Sequence, residues 1–298
     1  MNLKKQFLMG LMAFGLVFTA CEKEQVSTND TDTLQLNLTG LEDLGSDFAY
    51  EGWLIVDGTA VSTGVFNVDA NGVPDQSSFE IDRNQLANAG AFVLTIEPSP
   101  DNDPAPSDVH ILAGDFGEST ASLTVDHRSA LGNDFTGSTG QYILATPTDG
   151  ADNHETSGVW WLDPTGGPSA GLDLPDLPKG WKYEGWAVIE GVPVSTGTFT
   201  DVAAADEAAL FSGTQPGPNY PGEDFLTNAP AGLNFPTDLR GAAVVISVEP
   251  SPDNSPAPFT LKPLLSMVPQ NAEDHSPLNM QNNANVTNPT GIASRSGR

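Results

Sequence analysis

Residues 50–66 read YEGWLIVDGTAVSTGVF, and residues 183–199 read YEGWAVIEGVPVSTGTF, at a constant offset of 133. Within the first stretch, Trp53–Val56 and Val61–Phe66 are short β-prone runs separated by a turn at Gly58. The match extends upstream, where Leu41, Leu44 and Phe48 align with Leu174, Leu177 and Trp181. A second block, IEPSPDNDPAP from Ile96, returns as VEPSPDNSPAP from Val248 at an offset of 152. The two offsets differ by 19, an insertion in the second copy. It falls in the Pro-, Gly- and Asn-rich stretch around 213–238, which reads as a long loop. Two blocks recurring in the same order are the mark of a tandem duplication.

Strand signals dominate the rest of each copy. Leu34, Leu36 and Leu38 alternate with polar residues, as a half-buried strand requires. Phe92–Ile96, Val109–Leu112, Leu123–Val125 and Tyr142–Ala145 are further short β-prone runs between glycine turns. Asp201–Leu210 is the one stretch that reads as a short helix. The expected fold is all-β, with two tandem sandwich-like domains at 34–165 and 166–270. The closing strands of copy one have no counterpart in copy two, which is expected to close its sheet differently or to borrow Val159–Leu162 from the connector. From residue 271 to 298 the chain is rich in Asn, Ser and Pro and is expected to be a disordered tail.

The beginning of the chain addresses it. Lys4 and Lys5 precede an apolar run from Phe7 to Phe18, too short to span a bilayer comfortably, and Thr19, Ala20 and Cys21 follow. Small residues before a single cysteine are what a lipoprotein processing site needs, so residues 1–20 are expected to be a signal peptide and Cys21 the lipidated residue. The chain has 1 cysteine, so no disulfide can form within it. Residues 21–33 are polar and acidic and read as a flexible, lipid-anchored tether. The expected location is the cell envelope, anchored in the outer membrane at its periplasmic face or at the cell surface, with the membrane as a partner through the lipid.

Without Lys4 and Lys5 the chain keeps 9 basic residues against 39 acidic ones, a net charge of −30. Such a surface repels phosphate backbones, which excludes nucleic acid as a partner. It also suits divalent cations, and two acidic loops are candidates. Glu97, Asp101, Asn102 and Asp103 follow a strand in a proline-stiffened loop, repeated as Glu249, Asp253 and Asn254. Carboxylate and amide oxygens at this spacing suit Ca²⁺; the alternative is a rigid turn in which Asp and Asn bond their own backbone. Asp69, Asn71 and Asp75 resemble the first half of a calcium loop, but Ser78 stands where the closing Glu belongs, and Asn71–Gly72 reads first as a hairpin turn. Calcium is thus a candidate cofactor, and no other is indicated. The four histidines lack ligand spacing, and no nucleophile elbow or phosphate loop is present, so no enzyme is expected.

The repeat blocks resemble the extracytoplasmic domain of anti-sigma-K factors of the RskA type. The resemblance rests on Tyr50, Trp53, Gly58, Gly64 and Phe66, on Phe92 to Pro98 with its Glu-Pro ending, and on the Pro104/Pro106 loop, all repeated in copy two. It covers about 60–80 residues of each copy. It implies a β-sandwich sensor that binds a partner outside the cytoplasm in sigma-factor regulation. That family also carries a cytoplasmic sigma-binding part and a membrane helix, which this chain is expected to lack. Tyr50, Trp53, Tyr183 and Trp186 are the aromatic candidates, read either as residues inside the sandwich or as an exposed platform for sugars. The second reading would make the chain a surface adhesion or glycan-binding lipoprotein.

Overall fold

The computed structural model describes residues 30–150, 153–253 and 255–295, so the expected signal peptide, Cys21 and most of the tether lie outside the described residues. Copy one runs through β1 (Thr31–Thr39), β2 (Phe48–Val56), β3 (Thr59–Phe66), β4 (Ser78–Asp82), helix α1 (Arg83–Asn88), β5 (Ala89–Pro98) and β6 (His110–Asp115). It continues through β7 (Thr120–Leu123), β8 (Thr139–Leu144) and β9 (Gly158–Trp160). The connector carries β10 (Leu162–Asp163), β11 (Ser169–Ala170) and β12 (Leu172–Asp173). Copy two supplies β13 (Trp181–Ile189), β14 (Val192–Phe199), β15 (Gly222–Asp224), β16 (Ala243–Pro250) and β17 (Leu264–Met267). It ends with β18 (Leu278–Asn279), β19 (Gln281–Asn282), helix α2 (Ala284–Thr287) and β20 (Thr290–Arg295). The fold is all-β, with antiparallel pairing throughout and no closed barrel.

The two YEGW blocks form identical hairpins. Asp57 and Gly58, and equally Glu190 and Gly191, sit at positive φ between the strands, the conformation that a two-residue turn of the primed type demands. Both hairpins carry a bulge at the same place, between Gly52 and Trp53 and between Gly185 and Trp186. The strands assemble in the orders β3-β2-β5-β6 and β14-β13-β16-β17-β19. The repeated sequence therefore encodes one repeated sheet.

The covering sheets are assembled across the repeat boundary. One has the order β4-β1-β20-β7, so the last strand of the chain lies between two strands of copy one. It packs over the first repeated sheet, with the Phe66 and Phe79 rings 6.2 Å apart. The other has the order β12-β8-β9-β15, with β18 joined to β8, and mixes the end of copy one with copy two. Trp161, directly after β9, lies where a Cβ on Gly185 of β13 would stand, and the Phe135 and Tyr183 rings meet edge-on at 6.5 Å. The expected borrowing of Val159–Leu162 thus takes the form of β9 paired to β15, inside the stretch expected to be a loop.

This exchange corrects the expected domain plan. A single hydrophobic cluster runs from Leu34 to Ala293, and the described residues from Thr31 onward form one compact unit with no seam at 165/166. The tail expected to be disordered from residue 271 is structured through Arg295. Its asparagines bond backbone of copy one: Asn282 Nδ2 donates to the carbonyls of Phe135 (2.8 Å) and Ser138 (2.9 Å), and Asn288 Nδ2 to that of Asp134 (2.7 Å). Ala293 is fully buried between β1 and β7. Asp201–Leu210 is not helical, and β1 begins three residues before the expected boundary at Leu34.

Candidate functional site

Strand alternation puts Tyr50, Gly52 and Leu54 on the inner face of the first repeated sheet and Glu51 and Trp53 on the outer one. Tyr50 and Leu54 belong to the main core, whereas Trp53 packs in a separate small cluster with Val93, Ala113 and Ala130. The aromatic residues are therefore buried, but the tryptophans are not inside the sandwich as expected. Trp53 is 3% exposed and Trp186 2%, which removes the exposed platform for sugars at these positions. The glycines beside them meet other groups: a Cβ on Gly52 would strike Thr63 and Phe92, and one on Gly185 would strike Thr196 and Trp161.

On this outer face each copy builds the same buried polar line. Trp53 Nε1 donates to Thr95 Oγ1 (2.9 Å), Thr95 donates to Glu97, and Glu51 accepts from Ser62. In copy two Trp186 Nε1 donates to Ser247 Oγ (2.8 Å), Ser247 donates to Glu249, and Glu184 accepts from Ser195. Tyr50 and Tyr183 instead tie the segment before each hairpin to the sheet, donating to the carbonyls of Glu42 (3.0 Å) and Pro175 (2.6 Å). Burial raises both tyrosine hydroxyls above their ordinary range, so they remain donors.

The copies differ at the glutamate that ends each line. The Ser107 backbone N–H reaches both oxygens of Glu97, at 2.9 and 3.1 Å, while the Ser107 hydroxyl holds the Ile96 carbonyl at 2.8 Å. At the equivalent position Phe259 has no hydroxyl, and its N–H reaches only Oε1 of Glu249 (2.9 Å). Oε2 of Glu249 and Oε2 of Glu184 are buried without a hydrogen-bond partner. Glu184, Glu249 and Asp253 each bring a carboxylate oxygen to within 4.8 Å of the others. Burial, opposed by hydrogen bonds and reinforced by neighbouring carboxylates, pushes Glu249 up to about 8 and Glu184 up to about 7. Glu97 is raised as well, chiefly by burial.

The calcium candidates read from copy one behave as turns. Asp101 Oδ1 accepts from the Asp103 N–H (2.8 Å), and Asp103 Oδ1 from that of Ala105 (3.0 Å); Asn102 is exposed. Asp69 Oδ1 accepts from the N–H groups of Asn71 and Val73, both at 2.9 Å, and Asp75 Oδ1 from that of Asn67 (2.9 Å). These carboxylates close their own loops, and among the described residues no triad of acidic or histidine ligands forms at either place. Asn254 lies outside the described residues.

Where the two Pro-rich loops face each other, a groove of about 800 Å³ opens between the copies. Phe48, Ile96, Pro98 and Val109 line it from copy one, and Pro250, Pro252, Pro256 and Phe259 from copy two. Glu42, Asp43, Asp47, Asp108 and Asp253 supply acidic groups, and Lys179 is paired to Asp108 at 2.5 Å. The copies touch at Gly180, whose φ of +90° and a Cβ position only 2.6 Å from the Asp108 carbonyl leave room for glycine alone. Glu42 is raised to about 7 by burial, with Lys262 opposing. Sequence reasoning missed this groove because its walls come from repeat blocks 152 residues apart and meet only in the fold. It also missed the buried Glu223 and Asp224 of β15; Asp224 accepts from Trp160 Nε1 (2.7 Å) and the Thr148 N–H (2.7 Å). No family model, curated protein or solved structure matches the chain.

Proposed function

We propose that this chain is a non-catalytic binding lipoprotein of the cell envelope, anchored in the outer membrane by a lipid on Cys21, whose groove takes a segment of a partner protein outside the cytoplasm. The observation that carries the reading is the groove itself, a concave apolar trough with an acidic rim, built jointly by the two copies. A mostly apolar cleft with a few polar groups at its edge is the usual form of a binding site. The net charge of −30 and the rim carboxylates favour a segment with apolar side chains and basic flanks. Duplication then has a purpose that two independent copies would not serve, because neither copy alone has both walls. The resemblance of each copy to the sensor part of anti-sigma-K factors favours a regulatory partner.

The test is transcript profiling of a deletion strain beside strains carrying the wild-type chain or an Asp47→Lys/Asp108→Lys variant, which reverses charge at the rim. A coherent shift in one sigma-factor regulon on deletion, reproduced by the rim variant, supports the reading. No coherent shift on deletion would sink the regulatory part. A shift on deletion that the folded rim variant restores to wild type would move the binding surface away from the groove.

A further inference from the structure

Two features of copy two coincide at the edge of the groove. Glu184 and Glu249, 5% and 1% exposed, each keep one carboxylate oxygen with no hydrogen-bond partner. The same two residues and Asp253 of the loop bring three carboxylate oxygens to within 4.8 Å of one another. Oxygens bound to one Ca²⁺ at about 2.4 Å stand at most ~4.8 Å apart, so the three already fit around a single ion. Buried like charges with unfilled acceptor oxygens are costly unless a cation or protons compensate them. Lys262 is the cationic side chain that feels Glu249, but its charge is shared with Glu42, and no salt bridge joins it to Glu249 among the described residues.

We infer that Glu184, Glu249 and Asp253 form a calcium site in copy two that copy one lacks. Glu249 is held for the task, since Ser247 and the Phe259 N–H occupy its Oε1. Ser195 likewise occupies Oε1 of Glu184. Asp253 comes from the loop, where its Oδ1 accepts from the Ser255 N–H at 2.8 Å. Three carboxylates with water completing the shell suit a hard cation that takes oxygen ligands. Copy one has the same three residue types at Glu51, Glu97 and Asp101, but there the Ser107 N–H spans both oxygens of Glu97, and among the described residues the three do not cluster. Where Ser107 stands in copy one, Phe259 stands in copy two, and its N–H fills one oxygen of the glutamate and leaves the other open. This inference does not depend on the partner proposed for the groove.

The ion would sit beside Trp186, which is joined to Glu249 through Ser247. Terbium, which replaces calcium and emits when a nearby indole is excited, therefore reports the site directly. The full chain, purified in detergent and stripped with chelator, is titrated with TbCl₃ and then with CaCl₂, and calcium affinity is measured by calorimetry. The expected result is one ion per chain, tryptophan-sensitised emission displaced by calcium, and a dissociation constant at or below ~1 mM. Asp253→Asn, a loop change that leaves the buried line intact, weakens calcium by roughly tenfold or more, as does Glu249→Gln. Glu97→Gln and Asp101→Asn in copy one leave it unchanged. Absence of calcium heat and of sensitised emission up to ~10 mM overturns the inference, as does calcium binding that survives in a folded Glu184→Gln/Asp253→Asn variant.

Discussion

Trp53 shows how little a residue's type says about its position in a β-fold. Its ring is as buried as a core residue, yet it lies on the outer face of its sheet, roofed by Ala130 and fixed by the hydrogen bond to Thr95. Trp53→Ala should cost roughly 3–5 kcal/mol in urea unfolding, because the small cluster loses its largest member. Thr95→Val is the finer probe. It leaves the volume nearly unchanged but strands the indole N–H and one bond to Glu97, and should cost about 1–3 kcal/mol. An unchanged midpoint in both variants would mean that the outer-face line contributes nothing to stability. Asp206 sets a second expectation, of opposite sign to ordinary acid denaturation. Burial raises its carboxyl to about 7, with the Glu223 charge adding and the Gly222 N–H (2.9 Å) opposing. Glu42 is raised to about 7 as well, again by burial. In the unfolded chain such groups ionise near pH 4, so between about pH 4 and 7 the folded state holds the protons and the unfolded state does not. Stability is then greatest at the acid end of that window and falls as pH rises through it. In chelating buffer the melting temperature should be higher near pH 5 than near pH 8. Asp206→Asn should narrow the gap by raising the value near pH 8 by a few degrees. A gap that Asp206→Asn leaves untouched would exclude Asp206 as its source and assign it to the other buried carboxyls, Glu42, Glu184 and Glu249, or to the overall negative charge.

At the scale of the element, the strands of the repeated blocks and the covering strands β1, β7 and β8 were legible, and the strands that complete the covers from farther along the chain were not. YEGW, the Gly turn and the alternation of the first strand give β1, β2, β3, β13 and β14 directly, because local period and turn chemistry act within a dozen residues. β20 is the opposite case. TGIASR has one strongly apolar residue, and that residue, Ile292, is exposed, while Ala293 is buried. What makes it a strand is two waiting edges, β1 and β7, and such demand from tertiary partners overrides propensity. The Asn-rich approach to β20 misleads for a related reason, since the amides of Asn282 and Asn288 donate to backbone carbonyls of copy one. The sequence placed its calcium candidates in copy one, whereas the cluster forms in copy two, where Glu249 and Asp253 stand in the repeated loop and Glu184 joins them from another strand through pairing. The importance of β20 can be tested at one atom group. Ala293→Asp puts a carboxylate where there is no space and no partner, and should cost on the order of 3 kcal/mol or more. Ile292→Asp, one residue away on the exposed face, should be nearly neutral. Hydrogen exchange should show the protection of β1 and β7 falling in the first variant and not in the second; equal effects would mean that β20 does not hold the two strands together.

The duplication alone would predict a molecule of two beads, each unfolding at its own temperature. The exchange of strands predicts otherwise. The sheet over copy one cannot form until the last strand arrives, and the sheet over copy two needs β8 and β9, which precede the repeat boundary. Each half therefore lacks part of its cover when severed between residues 165 and 166, and the single core has no plane along which to part. Unfolding of the full chain in calorimetry should be one transition whose van't Hoff and calorimetric enthalpies agree. Fragments 22–165 and 166–298 should each be unfolded or aggregated alone, and should regain β structure and cooperative melting only when mixed. The strands that close the halves also bring the two Pro-rich loops together, so the groove should form on the same mixing and in neither fragment. Two resolved transitions in the full chain, or a fragment that melts cooperatively by itself, would show that the copies are energetically separate. The groove would then be a contact between finished domains, and its two walls could move apart without either copy unfolding.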